Sequence, residues 1–101
     1  MQKDFGGVIW TNHAIARMRE RGIDQGDAWA TFMRSDTSKY AKTKKAYVYY
    51  KTWGATKIEV VAKQNEKMKW VILSVWSKPV KESIKRKNQK ASLLTRLKNL
   101  F

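Results

Sequence analysis

The chain has 101 residues, one histidine, no cysteine and a formal net charge of +14 at pH 7. Disulfides and thiolate metal sites are therefore excluded, a structural zinc site is not expected, and no cofactor is predicted. The length suits one domain with one core, and a hydrophobic share of 43% predicts a folded protein rather than a disordered one.

The positive charge is unevenly distributed. Residues 1–38 hold five basic and five acidic side chains, whereas residues 39–76 hold nine and two, and residues 77–101 hold eight and one. So large an excess favours a polyanionic partner, with nucleic acid first and an anionic membrane surface second; a surface that only serves solubility is the plainer alternative. The first ten residues do not resemble a signal peptide, and no apolar run approaches the roughly 20 residues of a membrane helix. We therefore expect a cytoplasmic protein without membrane insertion.

Two short helices are predicted near the start of the chain. The segment "GGVIW" precedes them as a small edge strand or an anchor. Thr11 is a good cap for a helix that runs to Arg21 and ends at Gly22, and Asp24 begins a second helix. Helical spacing predicts the core-facing side chains to be Ala14, Ile15, Met18, Ala28, Trp29, Phe32 and Met33. The polar segment "RSDTSK" ends the second helix.

The pattern then changes to period two. The segments "KKAYVYYKTW", "ATKIEVVAK" and "MKWVILSVW" predict three strands joined by short antiparallel turns. On the third strand we expect Val71, Leu73 and Val75 to face the helices. The opposite face should carry Trp70, Ile72, Ser74 and Trp76. Tyr47, Tyr49, Lys51 and Trp53 share one face of the first strand.

After Pro79 the sequence predicts a basic amphipathic helix. The chain is thus expected to form an α+β domain over residues 1–79, in which two helices pack on a three- to four-stranded antiparallel sheet, followed by a C-terminal helix over residues 80–101. That helix could pack on the domain, pair with another chain or order on RNA.

The segments "TNHAIARMRERGID" and "WVILSVW" resemble the domain of unknown function 4258 family over about residues 8–77. Its pattern maps onto Thr11, His13, Ala14, Arg17, Arg21, Gly22, Ile23, Asp24, Val71, Ser74 and Trp76. This resemblance implies the barnase/RelE-like ribonuclease toxin fold, a metal-independent ribonuclease, and a cognate acidic antitoxin or immunity protein. Ser74 replaces an expected threonine, and the basic tail lies outside the family pattern.

RNA cleavage without metal requires a base for the 2′-hydroxyl, a cation for the phosphorane and an acid for the leaving oxygen. His13 and Arg17 are four residues apart on one helix face, and Arg21 lies one turn further. A neutral His13 near the helix start could be the base, and Arg17 and Arg21 could bind the phosphate. Tyr49, Lys51 or Ser74 could complete the site from the sheet, and spacing does not choose among these three. Equally, a histidine near a helix start is often structural, and "RMRER" could be a solvated face.

The remaining candidates concern RNA binding. The predicted nucleic-acid-binding residues are Tyr49, Lys51, Lys57, Lys63, Lys69, Trp70, Trp76, Lys85, Arg86 and Lys87. We weigh an RNA-cleaving toxin-like protein against a non-catalytic nucleic-acid-binding module or regulator. A third alternative is an interaction module whose C-terminal helix docks on a partner or forms a homodimer.

Overall fold

The structure is a computed structural model that describes residues 1–80. The predicted C-terminal helix, with Lys85, Arg86 and Lys87, lies outside the described residues. The elements, in chain order, are a 3₁₀ turn (Phe5–Gly7), β1 (Ile9–Trp10), α1 (Asn12–Arg21), α2 (Gln25–Met33), β2 (Thr37–Ala41), β3 (Ala46–Trp53), β4 (Thr56–Gln64) and β5 (Trp70–Pro79). No helix within residues 1–80 is long and apolar enough to cross a membrane.

The five described strands form one mixed sheet in the order β1-β5-β4-β3-β2. β1 runs parallel to β5, with Ile9 opposite Val71 and Trp10 opposite Ile72, and the other pairs are antiparallel. The prediction of a three- to four-stranded antiparallel sheet is therefore wrong. Two features were not predicted, and each has a physical cause. β2 is an exposed edge strand without apolar alternation. The edge strand considered at "GGVIW" is present as β1, but its parallel pairing joins residues far apart in the sequence.

Helix α1 has the predicted bounds. Thr11 Oγ1 accepts a hydrogen bond from the Ala14 N–H at 3.0 Å, and Gly22 ends the helix in the left-handed conformation at φ 65°. The core-facing side chains of α1 are all buried: Ala14, Ile15 and Met18. Cap, stop signal and apolar spacing all agree here, so the local sequence determines the element.

Helix α2 begins after Asp24 as predicted, and its inner side joins the core through Ala28 and Phe32. Two residues of its predicted apolar stripe are less buried than expected. Met33 is 54% exposed at the helix end, so its assignment to the core is wrong. Trp29 is only partly buried, and its indole covers the 3₁₀ turn and donates a hydrogen bond to the Gly6 carbonyl at 3.1 Å.

The three predicted strands are confirmed as β3, β4 and β5. Gly54, at φ 61°, makes the tight turn between β3 and β4. In the β4–β5 turn, Asn65 Oδ1 accepts hydrogen bonds from the N–H groups of Lys67 and Lys69. Short turn signals therefore identify both hairpins correctly.

A β-bulge overturns the predicted faces of β5. The register between β4 and β5 shifts at Val61/Ala62: Val61 pairs with Ser74, but Ala62 pairs with Ile72. The extra residue, Leu73, interrupts the alternation of side chains, so Ile72 and Val75 are both fully buried. For this reason the predicted core face is wrong for Val71 and Leu73, whereas the burial of Val75 and the outward positions of Ser74 and Trp76 are confirmed. Trp70 also lies on the core side, where it packs against the core cluster.

Candidate active site

The candidate site lies on the face of the sheet that points away from the two helices, which we call the outer face. Directly paired residues on neighbouring strands share a face. Ile58 and Val60 are buried on the helix side of β4, so the residues between and beside them point to the outer face. The outer face contains three rows of paired residues across the sheet: Val48, Val61 and Ser74; Tyr50, Glu59 and Trp76; and Thr52, Lys57 and Lys78.

Helix α1 is fastened beside β5 by its own cap residue. The Thr11 hydroxyl lies 3.1 Å from the Ile72 carbonyl and 3.2 Å from that of Leu73, and the Thr11 N–H donates to Ile72. These bonds hold the first turn of α1 against the backbone of Ile72 and Leu73, immediately next to Ser74 on β5. His13, in that first turn, and Arg17, one turn later, are thereby placed along the edge of the outer face.

A cleft of about 590 Å³ lies where α1 meets the outer face, and we call it the first cleft. Its lining consists of His13 and Arg17 from α1, Lys44 from the β2–β3 turn, and Glu59, Val61, Leu73, Ser74, Trp76 and Lys78 from the sheet. Three of the four predicted catalytic residues, His13, Arg17 and Ser74, therefore meet in one place.

Glu59 is the functional candidate that sequence reasoning missed. Its side chain is 17% exposed, and Oε2 lies 2.9 Å from the Lys78 ammonium in an ion pair that lacks hydrogen-bond geometry. Within residues 1–80, Glu59 is the one carboxylate that lines the first cleft. The signal that could have found it is the register, which places Glu59 directly opposite Trp76.

Arg21 does not line the first cleft, in contrast to the prediction that it would act there. Its guanidinium lies over the Trp76 ring, 3.2 Å from the centroid, and donates a hydrogen bond to the Ser77 carbonyl at 3.0 Å. Arg17 lies 5.5 Å from the same ring and pairs with Glu20 at 2.9 Å. The arginines therefore hold Trp76 against α1, and Trp76 remains 38% exposed.

A family described as a domain of unknown function (DUF4258) matches residues 10–77. The chain belongs to the DUF4258 family. The matched segment includes α1 and ends within β5, so it contains every sheet and helix residue of the first cleft except Lys78. No match was found among the curated proteins or among the solved structures.

The predicted RNA-binding residues of this DUF4258 chain are divided between the two faces. Lys57 and Lys63 belong to the outer face, but Tyr49 and Lys51 are paired with Val60 and Ile58 on the helix side. Lys63 and Lys69 line a separate pocket at the β4–β5 hairpin.

On the helix side, Trp70 packs in an aromatic cluster, 5.4 Å from Phe32 and 6.2 Å from Tyr49 between ring centroids. Burial raises the pKa of Tyr49, and the neighbouring Tyr47 adds to that effect. Lys51 pairs with Asp36 at 3.4 Å. These contacts place Tyr49, Lys51 and Trp70 on the face opposite the first cleft.

Proposed function

We propose that this DUF4258 protein binds RNA and cleaves it by attack of the 2′-hydroxyl on the adjacent phosphate. The observation that carries the proposal is the first cleft, which combines an imidazole, a carboxylate and three cationic side chains on one surface. A carboxylate and an imidazole supply the two proton transfers that the reaction needs, and the substrate supplies its own nucleophile. The reaction therefore requires no metal ion.

In the proposed reaction, Glu59 accepts the proton of the 2′-hydroxyl. The 2′-oxygen then bonds to phosphorus while the bond from phosphorus to the 5′-oxygen breaks, and His13 donates a proton to that leaving oxygen. The products are a 2′,3′-cyclic phosphate and a 5′-hydroxyl. This assignment revises the expected role of His13 from base to acid, because Lys78 pairs with Glu59 as a carboxylate.

Arg17 and Lys44 are the cations available for the phosphate oxygens. Arg17 pairs with Glu20 across side chains that are 37% and 59% exposed, and exposed pairs of this kind are worth only about 0–1 kcal/mol. Arg17 can therefore exchange Glu20 for a phosphate at little cost. Arg21 supports the site indirectly by holding Trp76, and the Ser74 hydroxyl is a further donor on the cleft wall.

The proposal is tested by incubating the purified full chain with total RNA in the presence of a chelator. We expect fragments that end in cyclic phosphate, with cleavage lost in His13→Ala and Glu59→Gln. The matched controls are Asn12→Ala, an exposed neighbour of His13, and Glu66→Gln, in the β4–β5 turn away from the first cleft. A folded His13→Ala protein that cleaves RNA normally would refute the proposed role of His13.

The pH dependence of cleavage separates the two proton-transfer roles. With Glu59 as base and His13 as acid, the rate should rise and then fall with increasing pH. Glu59→Gln should remove the rising limb from any residual activity, whereas His13→Ala should remove the falling limb. The opposite assignment of limbs would return His13 to the role of base.

RNA binding without cleavage is the second candidate function, and the basic outer face favours it independently of His13. Salt-sensitive binding of RNA that remains intact would support a binding module or regulator over an enzyme. An acidic antitoxin or immunity protein and a cytoplasmic location stay predictions, and either function would be inhibited by an acidic protein bound over the outer face.

A further inference from the structure

A second cleft, of about 400 Å³, lies next to the first on the outer face. Its own lining comes from β2, β3 and β4: Thr37, Ser38, Lys39, Tyr50 and Lys57. Glu59 and Lys78 line both clefts, so the two are contiguous and meet at this ion pair. None of the five residues particular to the second cleft takes part in the proposed reaction.

The second cleft is suited to an anion. The ammonium groups of Lys39 and Lys57 lie 5.8 Å and 4.7 Å from the centroid of the Tyr50 ring. Two like charges that converge on one ring repel each other, and the ring compensates only part of that repulsion. Glu59, which Lys78 already pairs, is the one carboxylate lining this cleft within residues 1–80. A phosphate would relieve the repulsion and accept hydrogen bonds from both lysines and from the hydroxyl of Thr37, which pairs with Tyr50 on the outer face.

The register gives the distance that a shared ligand must span. Tyr50, Glu59 and Trp76 are direct partners on three successive strands. Two interstrand spacings of roughly 4.8 Å separate Tyr50 from Trp76, which is about 10 Å. A ligand that fills both clefts must therefore cross the strands at nearly a right angle and carry phosphates at more than one position.

We propose that the second cleft is a subsite for the phosphate of a nucleotide next to the cleaved bond, so that an RNA strand crosses β5, β4 and β3. This inference rests on the proposed function, because the first cleft must hold the reacting phosphate. With this subsite, a single-stranded oligonucleotide that fills both clefts is the preferred ligand. A dinucleotide occupies the first cleft alone.

The test measures binding of uncleavable ligands to the full chain by calorimetry. The probes are 2′-deoxy oligonucleotides of two and of four nucleotides, which lack the attacking hydroxyl. We expect Lys39→Gln and Lys57→Gln to weaken the four-nucleotide ligand about tenfold, the effect of losing a charged hydrogen bond, and to change the two-nucleotide ligand less than about twofold. Lys67 is an exposed lysine in the β4–β5 turn, and Lys67→Gln is the matched control. This substitution should leave the affinity for both ligands nearly unchanged.

Two results would overturn the subsite. One is an equal loss of affinity for both ligand lengths in Lys39→Gln and Lys57→Gln, and the other is a loss in Lys67→Gln as large as theirs. Because the probes cannot be cleaved, this measurement is independent of the RNA-cleavage assay. A wild-type protein that never cleaves RNA would refute the enzymatic function, while a length-dependent loss in the two lysine variants would still establish the second cleft as a phosphate site for a bound strand.

Discussion

Trp70 and Trp76, six residues apart on β5, lie on opposite faces of the sheet and should respond differently to truncation. Trp70 packs with Phe32 and Tyr49, so Trp70→Ala should lower the free energy of unfolding by about 2–4 kcal/mol. Trp76 contacts the two arginines and solvent, so Trp76→Ala should cost less stability but weaken single-stranded RNA binding by about 1–3 kcal/mol. Urea unfolding and RNA titration of both variants measure these effects. Equal destabilisation by the two substitutions would contradict the assignment of Trp76 to the binding surface.

The candidate site could be predicted from the sequence only where its residues follow a local rule. The helix cap fixes the phase of α1 and so places His13 and Arg17 on one face, whereas Ser74 is singled out only by the resemblance to the family pattern. Glu59 was not found, because one carboxylate in "KIEVV" is indistinguishable from an ordinary solvent-facing residue. Its significance depends on pairing with Trp76 across β5 and on the ion pair with Lys78, and neither contact is encoded in neighbouring residues.

Asp36 should make the stability of the sheet edge depend on pH. Its carboxylate accepts a hydrogen bond from the Thr52 N–H at 3.0 Å. That bond lowers the pKa of Asp36, partial desolvation opposes the change, and Lys51 adds to the lowering. Because the folded pKa lies below the unfolded one, the stabilisation is complete above about pH 4 and is lost as the pH falls through the lowered folded value.

The measurement is urea unfolding of wild type and Asp36→Asn at neutral pH and at acid pH. We expect the substitution to destabilise the protein at neutral pH and the difference to shrink in acid. Asp24→Asn replaces an exposed carboxylate that makes no capping hydrogen bond within the described chain, and it serves as the control. The same pH dependence in both variants would show that the Thr52 bond is not responsible.

At the level of elements, the sequence predicts best those that are defined by neighbouring residues. Helix α1 has its cap, its apolar spacing and its glycine stop, and the β3–β4 hairpin has Gly54. The elements that escaped prediction depend on distant residues. β2 is exposed along four of its five residues and forms by pairing with the edge of β3. The bulge at Leu73 reflects a register that only pairing with β4 can impose.

The contact between the 3₁₀ turn and α2 gives a prediction with an internal control. A Cβ on Gly6 would collide with the Trp29 indole, and Gly6 also has a φ of 70°. Gly7 has a similar φ of 80°, but a Cβ on Gly7 would meet no atom within 4 Å. Gly7→Ala should therefore lower the free energy of unfolding by about 1 kcal/mol, through backbone strain alone. Gly6→Ala should lower it by about 2–3 kcal/mol or more, because strain and the collision add. Thermal unfolding compares the two, and equal losses would show that the Trp29 contact contributes nothing.

At the level of the whole molecule, the excess charge should govern how RNA binding responds to salt. For single strands, log affinity falls with log salt by about 0.7 per neutralised phosphate. Replacing Lys85, Arg86 and Lys87 together by glutamine in the full chain should flatten this slope by up to about 2 if all three contact phosphate. The matched comparison is the Lys39→Gln, Lys57→Gln double variant. An unchanged slope in the triple variant would show that these three side chains do not contact phosphate.

The parallel pairing of β1 with β5 has a consequence for how the protein is made. Residues 9–10 meet residues 71–72, so α1 reaches its place only after the last strand exists. The three hairpins β2–β3, β3–β4 and β4–β5 have low contact order and can form early, whereas closure of the long loop between β1 and β5 is entropically costly and comes late. A chain still emerging from the ribosome therefore has no first cleft until β5 has been synthesised. Completion of the cleft and completion of the domain coincide.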